Sequence, residues 1–427
     1  MSRAVNDGQG RPSTLEIGHP MKIAIINSLY DPYLVGGAER SVRVLAEAFV
    51  AEGAEVSVIS LHEGQAIVKE NRSGVEVWRV PLRNGYWPFA LAKRSTWKRL
   101  LWHLRDVYNP HALRDVFEIL TEIGPDVVHT NNLSGFSVSA WSAAKRAEIP
   151  VVHTARDYYL LHPNSMLFAN NVQQNENAIA PRLWSLVKKV ASRKVSAFVG
   201  ISGYVKDIHV QNGYFPGVTN AVVHNSVELS ASSHVHVDAP QQAQVFGFLG
   251  RLDPSKGLEV LLDAASSTPN VEWLIAGQGR PEYIAHLSNI ATPNVQFIGH
   301  QEPHVFFNRI DVLVVPSIWA EPLGRVVLEA YAHGVPVIAS RLGGLMDIVD
   351  EGRTGWYFDV KEPGSLLKAV NRARLSNLKK LSAESLRRAE DFGASAIARK
   401  YLAVFARVLA DSKVLDESIH VRRGDKA

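Results

Sequence analysis

Two glutamates, Glu321 and Glu329, bracket the segment EPLGRVVLE, with Pro322 and Gly324 just after the first. Paired carboxylates serve glycoside hydrolysis when they sit roughly 5–9.5 Å apart on either side of one bond. The spacing here speaks against that use. Pro322 suits a first helical position, where its missing N–H has no partner to lose. The run Leu323 to His333 reads as a helix, and Gly334 as its stop. Eight residues of helix rise about 12 Å. Glu321 at the helix mouth and Glu329 further down fit a long ligand better. One carboxylate would take its head and one its tail, with the helix N-terminus between them for an anion. A nucleotide sugar has that shape.

Two further segments carry phosphate chemistry. In FLGRLDPSKGLEVLLDA, Gly250-Arg251 and Lys256-Gly257 flank an Asp-Pro-Ser turn ahead of a helix. Arg supplies a fork and Lys a point charge, a combination that suits a diphosphate, whereas either cation alone would read as a solvated surface charge. In LYDPYLVGGAERS, Gly36-Gly37 opens a helix, which lets backbone approach a phosphate at a helix N-terminus. By itself a Gly-Gly turn before a helix is more often structural. It is not G-x-G-x-x-G, so a dinucleotide cofactor loses its main support.

The elements that must position these residues alternate along the chain. MKIAIIN, EVSVIS, VEVWRV, DVVHT, PVVHT and SAFVGIS read as strands, with a helix over 37–51 that puts Ala38, Val42, Leu45 and Phe49 on one face. A second series comprises QVFGFLG, VEWLIAG, VQFIG, DVLVVPS and VPVIAS. Apolar strands separated by helices predict an α/β fold with parallel sheets covered on both faces. Two series predict two doubly wound, Rossmann-like domains, over 21–225 and 226–392. The polar stretch ELSASSHVHVDAPQQAQ lies at their boundary. Ligands of such sheets bind beyond the carboxyl ends of the strands, so two facing domains would hold a substrate in a cleft. A last helix is expected over roughly 393–410, then a flexible tail over 413–427.

Composition narrows the classes. The 427 residues are 46% hydrophobic and 21% charged, ordinary for a globular protein, and contain no cysteine. Disulfide frameworks and thiolate chemistry are therefore excluded. No apolar run approaches the roughly 18 residues of a membrane span. Residues 1–20 are polar, lack the apolar core of a signal peptide and are expected to be disordered. Net charge is +4, and residues 1–225 hold 24 Lys/Arg against 19 Asp/Glu. That surplus fits either chance scatter or a first domain facing an anionic partner.

The run PSIWAEPLGRVVLEAYAHGVPVIASRLGGLMDIV resembles the signature of family-4 retaining glycosyltransferases of the GT-B fold. The match lies at Pro316-Ser317, Glu321, Gly324, Glu329-Ala330, Gly334, Pro336 to Ala339 and Gly343-Gly344. Gly36-Gly37, the Arg251/Lys256 motif and VVHNSVE follow in the family's order, and the resemblance spans roughly 21–410. It implies GT-B architecture, with an acceptor-side first domain onto which the last helix packs back, and a nucleotide-sugar-binding second domain. It implies that Glu329 holds the ribose hydroxyls and Glu321 the transferred sugar. Arg251 and Lys256 would neutralise the leaving diphosphate. Backbone at Leu323, Gly324, Arg325, Gly36 and Gly37 would add N–H donors. Neither a metal nor a cofactor is expected beyond the nucleotide sugar itself, and the chain has no Asp-x-Asp.

One departure stands out. Where the family often has His-Asp after a strand, this chain reads VVHTARDYYLLHP, which aligns Arg156 with the histidine and keeps Asp157 in register. Arg156 hydrogen-bonds but cannot act as a base. Both residues are assigned to the acceptor side, and His153 to the core. Two basic, aromatic segments, 86–105 and 181–195, suit either peripheral contact with an anionic membrane or helices that pack their tryptophans inward. Nucleic acid is a poor partner, because no groove-reading motif accompanies the charge. The sequence thus reads as a retaining transferase, cytoplasmic or peripheral at the inner membrane face. It would move a hexosyl group to a hydroxyl of a glycan or lipid-linked glycan, as in polysaccharide or glycolipid synthesis. The rivals are a nucleotide-sugar 2-epimerase on the same fold and a donor-binding protein without catalysis.

Overall fold

The computed structural model describes residues 19–33, 36–89, 95–169, 172–176, 178–229 and 242–424. The N-terminal extension expected over 1–20 lies outside them up to residue 18, as does most of the boundary stretch. The first unit contains β1 (Lys22–Ile26), β2 (Glu55–His62), β3 (Val68–Arg72), β4 (Val75–Pro81), β5 (Val127–Thr130) and β6 (Val151–Ala155). A small hairpin follows, β7 (Phe168–Ala169) with β8 (Val172–Gln173), then β9 (Ala197–Gly200) and β10 (Thr219–Val222). The main sheet runs β10-β9-β6-β5-β1-β2-β4-β3, parallel throughout except that β3 is antiparallel to β4. The second unit contains β11 (Val245–Leu249), β12 (Glu272–Ala276), β13 (Val295–Gly299), β14 (Val312–Val315), β15 (Val337–Ser340) and β16 (Gly355–Phe358). Its sheet runs β13-β12-β11-β14-β15-β16, all parallel. Both orders reverse direction beside their first strand, the switch point at which such sheets bind ligands.

Alternate residues of each central strand enter different cores, which is why the strands are apolar throughout. In β1, Ile23 and Ile25 pack with Val42, Leu45 and Phe49 of the helix Gly37–Ala51. Ala24 and Ile26 face the opposite layer with Trp78 and Trp141. In β14, Val312 and Val314 join one layer, Leu313 and Val315 the other.

Two elements differ from the sequence reading. The helix expected from Leu323 begins at Arg325, because Gly324 takes a left-handed conformation, φ +91°, and breaks the run. Pro322 therefore lies in the preceding turn rather than at a first helical position. The final helix runs Ala394–Gly424, past the expected end at 410 and into the tail read as flexible. No proline or glycine interrupts it before Gly424. Its early turns return to the first unit, where Tyr401 and Phe405 meet Phe49 at ring separations of 6.3 and 5.6 Å.

Candidate active site

The loops after β1, β6, β11, β14 and β15 converge between the two sheets. Asp253 accepts from the Ser255 backbone N–H at 3.1 Å and its hydroxyl at 2.6 Å, which sets a short turn over Pro254–Lys256. The turn ends at Gly257, φ +67°, where an added Cβ would stand 2.1 Å from the Pro316 carbonyl oxygen. Glycine here lets the β11 and β14 loops touch backbone to backbone, and Ile318 N–H donates to Ser255 O at 3.0 Å. That docking delivers Lys256 Nζ to 2.8 Å from Glu321 Oε1. Ser317 Oγ donates to the same oxygen. Glu321 is buried, which alone would raise its carboxyl. Lys256, Ser317 and Arg251 outweigh burial and hold it below the usual glutamate range. Arg251 is exposed and has no ion-pair partner among the described residues.

The Gly343-Gly344 pair fixes the other side of Glu321. Gly344 N–H donates to Glu321 O at 2.7 Å, and a Cβ on Gly344 would fall 2.2 Å from Pro322 O. One helical turn on, Arg325 Nε donates to Glu329 Oε1 at 2.8 Å. The same guanidinium crosses the cleft, its Nη1 reaching Ser41 Oγ at 2.7 Å and Gly37 O at 3.3 Å. A Cβ on Gly37 would lie 3.0 Å from Arg325 Cδ, so the small residue admits the arginine. Gly36 N–H is taken by Glu39 Oε2 at 2.8 Å. The units also join where Tyr158 OH donates to Ala320 O and Ser202 Oγ to Pro322 O, both at 2.6 Å.

Residues 36–226 match a family described as Glycosyl transferase 4-like domain, and residues 232–391 one described as Glycosyl transferases group 1. A Klebsiella pneumoniae protein described as an uncharacterized 42.6 kDa protein in cps region is 38% identical over 330 residues, covering 77% of this chain and 87% of its own. The chain belongs to the group 1 glycosyltransferases. D-inositol 3-phosphate glycosyltransferase of Mycolicibacterium vanbaalenii is 28% identical over 70% of this chain and 71% of its own. The architecture is similar to sucrose-phosphate synthase from Thermosynechococcus elongatus, with TM-score 0.69 and 20% identity over 92% of this chain and all of that one. Anabaena Alr3699/HepE in complex with UDP gives 0.66 and 19% over 91% and 100%. The fold is GT-B.

In this glycosyltransferase, Gly250, Arg251, Lys256, Glu321, Leu323, Gly324, Arg325 and Glu329 all lie on the β11 and β14 loops or the helical turns after them, and Arg325 reaches Gly37 on the facing loop. Arg156, just after β6, lies on the first unit's side of the cleft and is buried. Its Nε donates to Asn131 Oδ1 at 2.8 Å and its Nη1 to Asn225 Oδ1, with Tyr401 of the final helix also in contact. No carboxylate forms an ion pair with it among the described residues. Burial pushes its basicity down, helped by the charge of Arg325. Asp157, beside it, accepts from Tyr159 N–H at 2.8 Å, and burial raises its carboxyl to about 6. His153 is a core residue, bonded to Thr130 Oγ1 at 2.9 Å and ringed by Trp141, Phe198 and Phe215. The residues not foreseen are Asn131, Asn225 and Tyr401 around Arg156, and Ser41, Tyr158 and Ser202 across the cleft. Asn225 alone left a signal, in the VVHNSVE turn. The others are polar residues whose partners lie far away in sequence.

Proposed function

We propose that this glycosyltransferase moves a hexosyl group, with retention, from a nucleoside diphosphate to a hydroxyl of a glycan or lipid-linked glycan in polysaccharide synthesis. The observation that carries the reading is the Lys256–Glu321–Ser317 cluster, with Arg251 open beside it and Arg325–Glu329 meeting Gly36-Gly37 across the cleft. An ammonium has three N–H donors and Glu321 takes one, so Lys256 keeps capacity for a diphosphate oxygen. Lys256 and Arg251 stabilise the negative charge that grows on the diphosphate as the sugar–oxygen bond breaks. The diphosphate oxygen takes the acceptor's proton on the same face, which preserves the anomeric configuration. Glu321, ionised and fixed, accepts hydroxyls of the transferred sugar. Glu329 accepts those of the ribose. Asp157, with its raised carboxyl, faces the acceptor, and Arg156 holds its loop to Asn131 and Asn225.

Thermal unfolding with UDP, GDP or ADP in EDTA tests the donor site. A nucleotide at 100 times its Kd adds about 2.7 kcal/mol, and Glu329→Ala abolishes the gain. If no diphosphate shifts the transition, this donor site is wrong. Release of diphosphate from the nucleotide sugar without any acceptor would instead favour the epimerase class.

A further inference from the structure

Two helices of the first unit leave apolar rows in water. On Thr96–Val107, Trp97, Leu100, Leu101 and Leu104 are exposed, Trp97 at 65%. On Ile179–Ala191, Leu183, Leu186, Val187 and Val190 are exposed, Leu183 at 68%. Each set has the i, i+3, i+4, i+7 spacing of one helix stripe. An amphipathic helix ordinarily buries that stripe. Here other residues face inward: Trp102 Nε1 donates to Tyr86 O at 3.0 Å, and Lys188 Nζ, fully buried, to Tyr159 O at 2.8 Å. The helices are neighbours, with His103 against Trp184 at a ring separation of 5.6 Å. The two stripes are therefore parts of one surface.

The exposed charge on these two helices has one sign. Lys98, Arg99 and Arg105 are exposed on the first helix, and Lys189, Arg193 and Lys194 on or just after the second. The first helix's acid, Asp106, is buried, bound by Asn84 Nδ2 at 3.0 Å, Gly135 N–H at 2.6 Å and Tyr159 OH at 2.9 Å. Residues 178–195 contain no acid. Lys93 and Arg94, also in the basic segment, lie outside the described residues.

We infer that this two-helix surface docks on an anionic lipid bilayer, apolar rows in the headgroup boundary and cations against the lipid phosphates. Apolar rows flanked by lysine and arginine, with no exposed acid on either helix, fit that occupant better than a protein partner, whose interfaces are depleted of lysine. Both helices also hold Tyr159, two residues from Asp157, so the bilayer would lie on the same side of the molecule as the β6 loop. The surface would bind lipid whether or not the cleft transfers a sugar.

Flotation of the full chain with vesicles is the test, using phosphatidylcholine alone or mixed with phosphatidylglycerol. The chain is expected to float with the anionic vesicles, less so in high salt. Leu101→Glu/Leu186→Glu, both at exposed sites, should weaken binding about 10-fold or more without changing the unfolding temperature. Lys98→Gln/Arg99→Gln/Lys189→Gln, which leaves the apolar rows intact, should remove the preference for anionic lipid. Absence of flotation overturns the inference, as does equal binding by wild type and the leucine variant. Sedimentation showing a dimer that the leucine variant dissociates would give the surface to a second copy and overturn it too.

Discussion

Replacing Lys256 with alanine separates the structural duty of the Lys256–Glu321 pair from its chemical one. Glu321 is 7% exposed and its carboxylate is held by Lys256 Nζ at 2.8 Å and by Ser317 Oγ. Without Lys256, a buried charge is left with one hydroxyl. Removing one partner of a buried ion pair costs about 3–5 kcal/mol. The Lys256 side chain is 20% exposed, so water screens part of the interaction. The expected cost is therefore ~2–3 kcal/mol. A domain of this size loses about 2–4 °C per kcal/mol, which places the second domain's transition about 4–12 °C lower. Lys256→Ala/Glu321→Gln removes the stranded charge while its amide still accepts from Ser317, so most of the loss should return. Transferase activity should stay lost in both variants. The pH dependence follows the same logic. Because the folded carboxyl sits below its ordinary value, the pair's stability is fully present above about pH 4.3, the unfolded glutamate's value, and lost as pH falls through the folded one. Both variants should lack that acid limb. Differential scanning calorimetry at neutral and acid pH measures all of this. If Lys256→Ala unfolds within about 1 °C of wild type, Glu321 is not a buried carboxylate leaning on a lysine, and the site geometry is refuted.

Two further outcomes rest on separate observations. Gly344→Ala puts a Cβ 2.2 Å from the Pro322 carbonyl oxygen, whereas Gly352→Ala, φ +76°, meets no atom within 4 Å. The first should cost on the order of 3 kcal/mol and abolish stabilisation by the nucleotide. The second should cost only about 1 kcal/mol and keep it. Equal costs, read from unfolding midpoints, would count against the Gly344–Pro322 contact. His209 is fully buried, bonded through Nδ1 to Val205 O at 2.7 Å, and burial lowers its pKa to about 4. It folds neutral, so its contribution is intact above about pH 6.5 and drains as pH falls toward the folded value, by roughly 3 kcal/mol. The difference in stability between wild type and His209→Gln should shift by that amount across this window. Taking the difference cancels Asp106 and Asp157, whose raised carboxyls act in the opposite sense. A difference independent of pH would show that His209 is hydrated.

The doubly wound architecture could be read from the sequence because its central strands are buried on both faces. Ile23, Ala24, Ile25 and Ile26 serve two cores in turn, so MKIAIIN has to be apolar throughout. The same rule hides the edges. β3, VKENR, pairs on one side only and leaves most of its side chains in water, so nothing in its composition marks a strand. The loops that carry the candidate site stand out in the sequence because glycine, proline and charge follow an apolar run. Their partners do not. Arg156 is held by Asn131 and Asn225, 25 and 69 residues away, and no local pattern encodes that meeting. The helix start at Arg325 was missed because proline's preference for a first turn is a weak local signal. It yields to the left-handed Gly324, whose Cβ, if present, would lie 2.4 Å from Leu345 Cδ2.

The glutamates of EPLGRVVLE are separated by more than distance. A hydrolytic pair needs one carboxyl kept protonated near neutral pH, which burial achieves when no cation is near. Glu321 has the burial but also Lys256, Ser317 and Arg251, and the balance falls on the ionised side. It cannot be the proton donor to a leaving sugar. Glu329, partly open, is tied to Arg325, whose other nitrogen crosses to Ser41 on the opposite unit. Each carboxylate therefore has its own cation, drawn from a different element: Lys256 from the β11 turn, Arg325 from the head of the helix. Carboxylate oxygens tied to a cation in this way accept hydrogen bonds. Two such acceptors about two helical turns apart are suited to reading hydroxyls at the two ends of one long ligand, with the charge between those ends left to Lys256 and the open Arg251.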